Sequence, residues 1–203
     1  MMKRFLTMIT AAILLLTAVC TAMADGVTFS TKYFTLQLPD GWETETDLES
    51  TEEDEDEDAD DALVMEMDQE SEQAQETLGF FGEPSDEGLV AAAYLVYYKE
   101  MKDVKLWDAS EEELKEYTDG LLKDLEDVKP ELIGVVKADK VPLVLIKGSD
   151  EDGEFLYADT VTNGYAIEFE FYISDAEGEK QLPFTDAQIE QVKTILATFK
   201  PAA

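Results

Sequence analysis

Apolar and polar residues alternate along Tyr33-Phe34-Thr35-Leu36-Gln37-Leu38, and the alternation stops at Pro39-Asp40-Gly41, just before Trp42. A period of two predicts a strand, and the Pro-Asp-Gly step predicts a turn with the indole as a plug behind it. Leu78-Gly79-Phe80-Phe81 reads as a strand closed by Gly82-Glu83-Pro84. Leu89 to Tyr98 is almost wholly apolar, and its Tyr-Leu-Val-Tyr-Tyr end favours a central strand over a buried helix. Between these, Ala62 to Met67 is a short apolar piece, and the polar stretch Gln69 to Glu76 reads as loop or a ragged helical turn.

Two helices are clearer. Ser110-Glu111-Glu112-Glu113 is a capping box, and Leu114, Tyr117, Leu121, Leu125 and Val128 follow on one stripe up to Pro130. Thr185-Asp186-Ala187-Gln188 is a second box, followed by Ile189, Val192, Ile195, Leu196 and Phe199 before Pro201. Each helix has one apolar face and must lie on something. Between them the pattern predicts a four-strand meander: Glu131 to Lys137, Val141 to Lys147, Glu154 to Val161 and Tyr165 to Ile173. Asn163-Gly164 is the strongest hairpin signal in the chain, because both central positions of a type I′ turn need positive φ. The fold class that follows is α+β, a mostly antiparallel sheet flanked by helices.

The first 24 residues change the picture of where this domain works. Lys3 and Arg4 precede the uncharged stretch Phe5 to Val19, and Ala22-Met23-Ala24 places small residues at a cleavage site before Asp25. That apolar run falls short of the ~20 residues that span a bilayer. A lipidated Cys20 would want Leu three residues earlier and a small residue directly before it, where Thr17 and Val19 stand. The reading is therefore a cleaved signal peptide over 1–24 and a single α+β domain over 25–203, periplasmic or secreted, without membrane insertion after cleavage.

Charge narrows the partners. The formal net charge is −33, and Tyr33 to Tyr98 holds 22 Asp and Glu with no Lys or Arg. Ten of those lie in the thirteen positions Glu49 to Asp61, which predicts a disordered acidic loop at about 45–61. Nucleic acid and anionic lipid would be repelled by such a field. Its plainest use is solubility; a basic partner protein and loose binding of divalent cations are the alternatives. Asp54, Asp56, Asp58 and Asp60 alternate like the start of a calcium loop, but Ala59 and Met65 stand where that loop needs Gly and Glu. Any Ca2+ there would be bound weakly and diffusely, and no other cofactor is implied.

Catalytic equipment is sparse. The chain has no His, one Cys (Cys20) and one Arg (Arg4), the last two within the export segment. Glu168 and Glu170 share one strand face and could serve a carboxylate-based hydrolase, a remote alternative beside the reading of an ordinary solvated sheet face. Asp150-Glu151-Asp152-Gly153 reads as turn chemistry before it reads as a calcium ligand set. Trp42, Trp107, Phe80 and Phe81 read as core, with a groove between sheet and helix as the alternative. Lys99, Lys102 and Lys105 form the one cluster of lysines, a counterweight to the acidic half.

A strand ending in Pro39-Asp40-Gly41-Trp42, a capped helix, a meander and a last helix ending Ile195-Leu196-Ala197-Thr198-Phe199-Lys200 resemble the PsbP, Mog1 and DcrB group of α/β/α sandwiches. The resemblance covers roughly Val27 to Pro201, and its motifs are signatures of fold, not of an active site. The group includes a photosystem accessory protein, a partner of a nuclear GTPase and bacterial envelope proteins. The resemblance implies a non-enzymatic accessory or protein-binding module whose partner is another envelope or secreted protein, a basic one being among the options.

Calcium titration of the intact chain by calorimetry should show several weak sites, with Kd on the order of 10⁻⁴ to 10⁻³ M. Single Asp-to-Asn changes in the acidic run should leave the isotherm nearly unchanged; one micromolar site abolished by one substitution would contradict the reading.

Overall fold

The computed structural model describes residues 26–46, 66–67, 73–85, 88–174 and 181–202. The export segment, Cys20, the acidic run and Asp54, Asp56, Asp58 and Asp60 lie outside the described residues. Among those described, no helix is long and apolar enough to cross a membrane.

The frame is an antiparallel sheet in the order β3-β5-β6-β10-β9-β8-β7. Its strands are β3 (Glu43–Glu45), β5 (Gln73–Gly82), β6 (Leu89–Tyr98), β7 (Glu131–Ala138), β8 (Val141–Ser149), β9 (Glu154–Thr162) and β10 (Tyr165–Ile173). β4 (Glu66–Met67) pairs with the start of β5. The meander is as the pattern predicts, and Asn163 and Gly164 both take positive φ, 53° and 83°, in the turn between β9 and β10. A second, small sheet of β1 (Thr28–Ser30), β2 (Phe34–Gln37) and β11 (Lys200–Pro201) joins the two ends of the described chain.

The two faces of the large sheet are covered differently. One face carries Leu78, Phe81, Ala91, Ala93, Leu95, Leu143, Leu145, Leu156, Ala158, Ile167, Phe169 and Phe171 into the larger core. The small sheet closes over it with Phe29, Phe34 and Leu36, and helix α2 (Asp186–Leu196) with Val192, Ile195 and Leu196, all buried. Several ring pairs meet edge to face, as Phe34 on Phe169 at 5.2 Å and Phe81 on Phe171 at 5.9 Å between centroids, an arrangement the ring quadrupole favours. Thr198 ties the end of α2 to β2: its hydroxyl accepts from the Gln37 amide at 2.8 Å. The opposite face is covered by helix α1 (Glu111–Asp124), whose Leu114 and Tyr117 pack against Val96, Leu106, Val161 and Ala166. The architecture is α+β, with one helix on each side of the sheet.

Both capping boxes form. Ser110 and Glu113 exchange hydrogen bonds with each other's backbone amides, and so do Thr185 and Gln188. Three expectations need correction. Gln73 to Glu76 are neither loop nor helical turn but the start of β5, because Tyr98 to Leu95 of β6 supply their ladder partners. Glu76 is then held by Lys32 at 3.3 Å and by the Tyr33 hydroxyl at 3.2 Å. Strands β1, β3 and β11 are absent from the sequence reading, since two or three residues make a strand only when a distant partner is present. At the near edge of the expected acidic loop, Glu43–Glu45 pairs with Gly82–Phe80. Phe80 is not a core residue: it is 38% exposed, whereas Phe81 is buried.

Phe169 lies at the centre of the aromatic cluster, touching Phe34, Phe81, Phe171 and Phe199. Phe169→Ala should cost about 3–5 kcal/mol in urea unfolding. Phe80→Ala should cost about 1 kcal/mol or less, since its ring is already half in water.

Candidate functional site

The turn at Asn163-Gly164 sets the register of β9 on β10, with Thr162 opposite Tyr165 and Asp159 opposite Glu168. Directly opposite residues share a face, with Cβ atoms about 4.5–5.5 Å apart. The face in question is the one beneath α1. Asp159 is 1% exposed and Glu168 9% exposed.

Three tyrosines from three elements meet the two carboxylates. Tyr117 of α1 donates its hydroxyl proton to Asp159 Oδ1 at 2.5 Å. Tyr157, two residues before Asp159 on the same strand, donates to Oδ2 at 3.4 Å. Tyr98, at the end of β6, donates to Glu168 Oε1 at 2.7 Å. A cavity of about 280 Å³ adjoins the cluster, walled also by Met101, Leu121, Leu125 and Asp124. No Lys or Arg lines it among the described residues.

The electrostatics follow from that geometry. Burial pushes the Asp159 carboxyl up to about 8, the charge of Glu168 adds to the rise, and the Tyr117 and Tyr157 hydroxyls oppose it. Burial likewise raises Glu168 against the hydrogen bonds of Tyr98 and Tyr157. Two buried carboxylates side by side without a cation cannot both ionise cheaply, so the pair retains a proton where free carboxyls have lost theirs. The same surroundings raise Tyr98, Tyr117 and Tyr157, first through burial and next through the neighbouring carboxylates. These phenols stay neutral and act as donors. What the arrangement can do is hold a proton on a pair of buried carboxyls in an aromatic setting.

The strand face carrying Glu168 and Glu170 is therefore not a solvated one. Glu168 is buried against Asp159 across the ladder, and Glu170 is partly buried, with its carboxyl raised by that burial. Sequence reading missed Asp159, although the signal was present: counting three residues away from the turn from Thr162 and from Tyr165 pairs it with Glu168. Asp150 to Gly153 is a turn, with Asp150 Oδ1 accepting from the Asp152 and Gly153 amides at 2.8 and 3.2 Å. Among the described residues no group of three or more acidic, His or Cys side chains is placed to hold a metal ion. Trp42 is buried on Phe81, and Trp107 is half-buried against Phe199. Lys99, Lys102 and Lys105 lie on the segment leading from β6 to α1, where Lys105 bridges Thr162 of β9.

A second concavity, an open groove of about 520 Å³, lies at the other end of the sheet. Phe80, Val90 and Tyr172 line it together with Glu43, Glu45 and Glu83, and no cationic side chain does so among the described residues.

No family model matches this chain, and no curated protein does. Among solved structures, the solution structure of cyanobacterial PsbP (CyanoP) from Synechocystis sp. PCC 6803 is similar to it over 88% of this chain and 95% of that one. The two are 13% identical, with a TM-score of 0.39. The resemblance is one of fold.

Replacing Asp159 by Asn should change how stability depends on pH. In the wild type the folded carboxyl holds its proton up to about 8 while the unfolded one releases it near 3.8, so its contribution is fully present below pH 3.8 and lost as pH rises to about 8. Relative to wild type, Asp159→Asn should therefore gain stability across that interval in urea melts. A difference that is flat with pH would show that the carboxyl is ionised throughout.

Proposed function

We propose that this chain is a non-enzymatic accessory module of the cell envelope that binds another protein carrying basic residues. The observation that supports this reading best is the groove at the β3 end of the sheet. It sets a half-exposed Phe80 beside Val90 and Tyr172 and flanks them with Glu43, Glu45 and Glu83. An apolar floor with carboxylates beside it fits a segment whose apolar side chain is flanked by Lys or Arg. The net charge of −33 favours the same partner by steering it over a distance. Export rests on the basic, apolar and Ala-Met-Ala succession of the first 24 residues. The non-enzymatic part rests on a chain without His whose one Cys and one Arg lie in that export segment.

A photo-crosslinking residue at position 80, expressed in the native host, should trap a specific envelope or secreted protein through a basic surface. Reversing Glu43 and Glu45 to Lys should lower that trapping about tenfold, and high ionic strength should lower it too. No adduct, or an adduct indifferent to both changes, would overturn the reading.

A further inference from the structure

Helix α1 is held to the sheet far more lightly than α2. The only fully buried side chain of α1 is Thr118, whose hydroxyl is spent on the Leu114 carbonyl at 2.7 Å. Leu114, Tyr117 and Leu121, the residues of its apolar stripe, are half-buried, whereas α2 buries Val192, Ile195 and Leu196 completely. Gly120 weakens α1 further: a Cβ added there would meet open space, so no packing demand accounts for a residue that disfavours helix. The buried polar link from this helix to the sheet is the Tyr117 hydroxyl on Asp159.

We propose that the Asp159–Glu168 pair is a proton-operated latch for α1: while the two carboxyls share a proton the helix stays down, and when that proton leaves the helix lifts from the sheet. With one proton present, the cluster carries a single charge met by the hydroxyls of Tyr117, Tyr157 and Tyr98. With none, two charges lie side by side beneath the helix, and water is the only strong source of relief. The least costly route for water is to displace the lightly held helix, not to part β9 from β10.

The surroundings reinforce this and do not offset it. From α1, Tyr117 and Asp124 face the cavity; from β6, Tyr98; from β9, Tyr157. Glu170 of β10 adds negative charge beside Glu168, and Tyr94 of β6 feels both. The neighbouring strand β8 places Val144 opposite Asp159 and contributes no charge there. The direction is set by linkage. The lifted state titrates near the ordinary 3.8 of an aspartate, and the closed state holds its proton to about 8. Closure is thus tightest below the first value, weakens through the interval and is weakest above the second.

Hydrogen-exchange protection factors, each corrected for intrinsic exchange at its pH, test the latch on the intact protein. The α1 amides should lose at least about tenfold in protection between about pH 5 and about pH 9, while β10 amides should lose much less. In Asp159→Asn/Glu168→Gln the α1 protection should be flat with pH. If that variant does not fold, Tyr117→Phe keeps both carboxyls and removes a hydroxyl that opposes the rise of Asp159, so it should lower α1 protection while leaving its change with pH at least as large as in the wild type. Protection of α1 that is constant in the wild type, that falls in step with β10, that keeps its full pH dependence in the double variant, or that loses it in Tyr117→Phe would overturn the proposal.

Discussion

The constraint on which most of this structure depends is the register of β9 against β10, fixed by two residues of positive φ at Asn163 and Gly164. Because side chains alternate across a strand, a slip of one residue would exchange the two faces. In the observed register Phe169 and Phe171 enter the aromatic core, and Asp159 and Glu168 meet on the opposite side beneath α1. One turn therefore decides both the best-packed part of the molecule and its least comfortable one.

Those two faces differ in kind. On the aromatic face, burial is non-directional and every ring is shared among several neighbours, so the small sheet and α2 are locked to it. Under α1 fewer side chains are fully buried, and a polar cluster replaces ring packing at its centre. Buried carboxyls are tolerable there because three phenols satisfy their oxygens and a retained proton removes one charge. A site of that sort stabilises the fold weakly, and it responds to a variable that the aromatic face ignores. The groove at Phe80 is separate in position and in chemistry, and its Glu43 and Glu45 are open to solvent.

Much of the fold was legible because its signals are local. The capping boxes at Ser110 and Thr185, the apolar stripes behind them, and the Asn-Gly turn need no knowledge of distant residues. The unread parts are those whose cause is distant. Gln73 to Glu76 are polar and become strand only because β6 runs beside them. Glu43–Glu45 and Lys200–Pro201 are too short to show a period and exist through β5 and β2. The candidate site was half-visible: Glu168 stood out beside Glu170, but periodicity shows only which residues share a strand face, not what covers that face. The helix that covers it turns a face that reads as solvated into a buried one, and Asp159 emerges only when the register of the hairpin is counted across the turn.

The most direct measurement is a titration of the side-chain carboxyl carbons of Asp159 and Glu168 by 13C NMR on the intact protein. The expected result is that the pair releases its protons in two separated steps, the later one near 8, with the phenol of Tyr117 neutral throughout. Release of both protons near the ordinary values of 3.8 and 4.5 would contradict it, and would mean that water or a cation already reaches the pair in the closed protein.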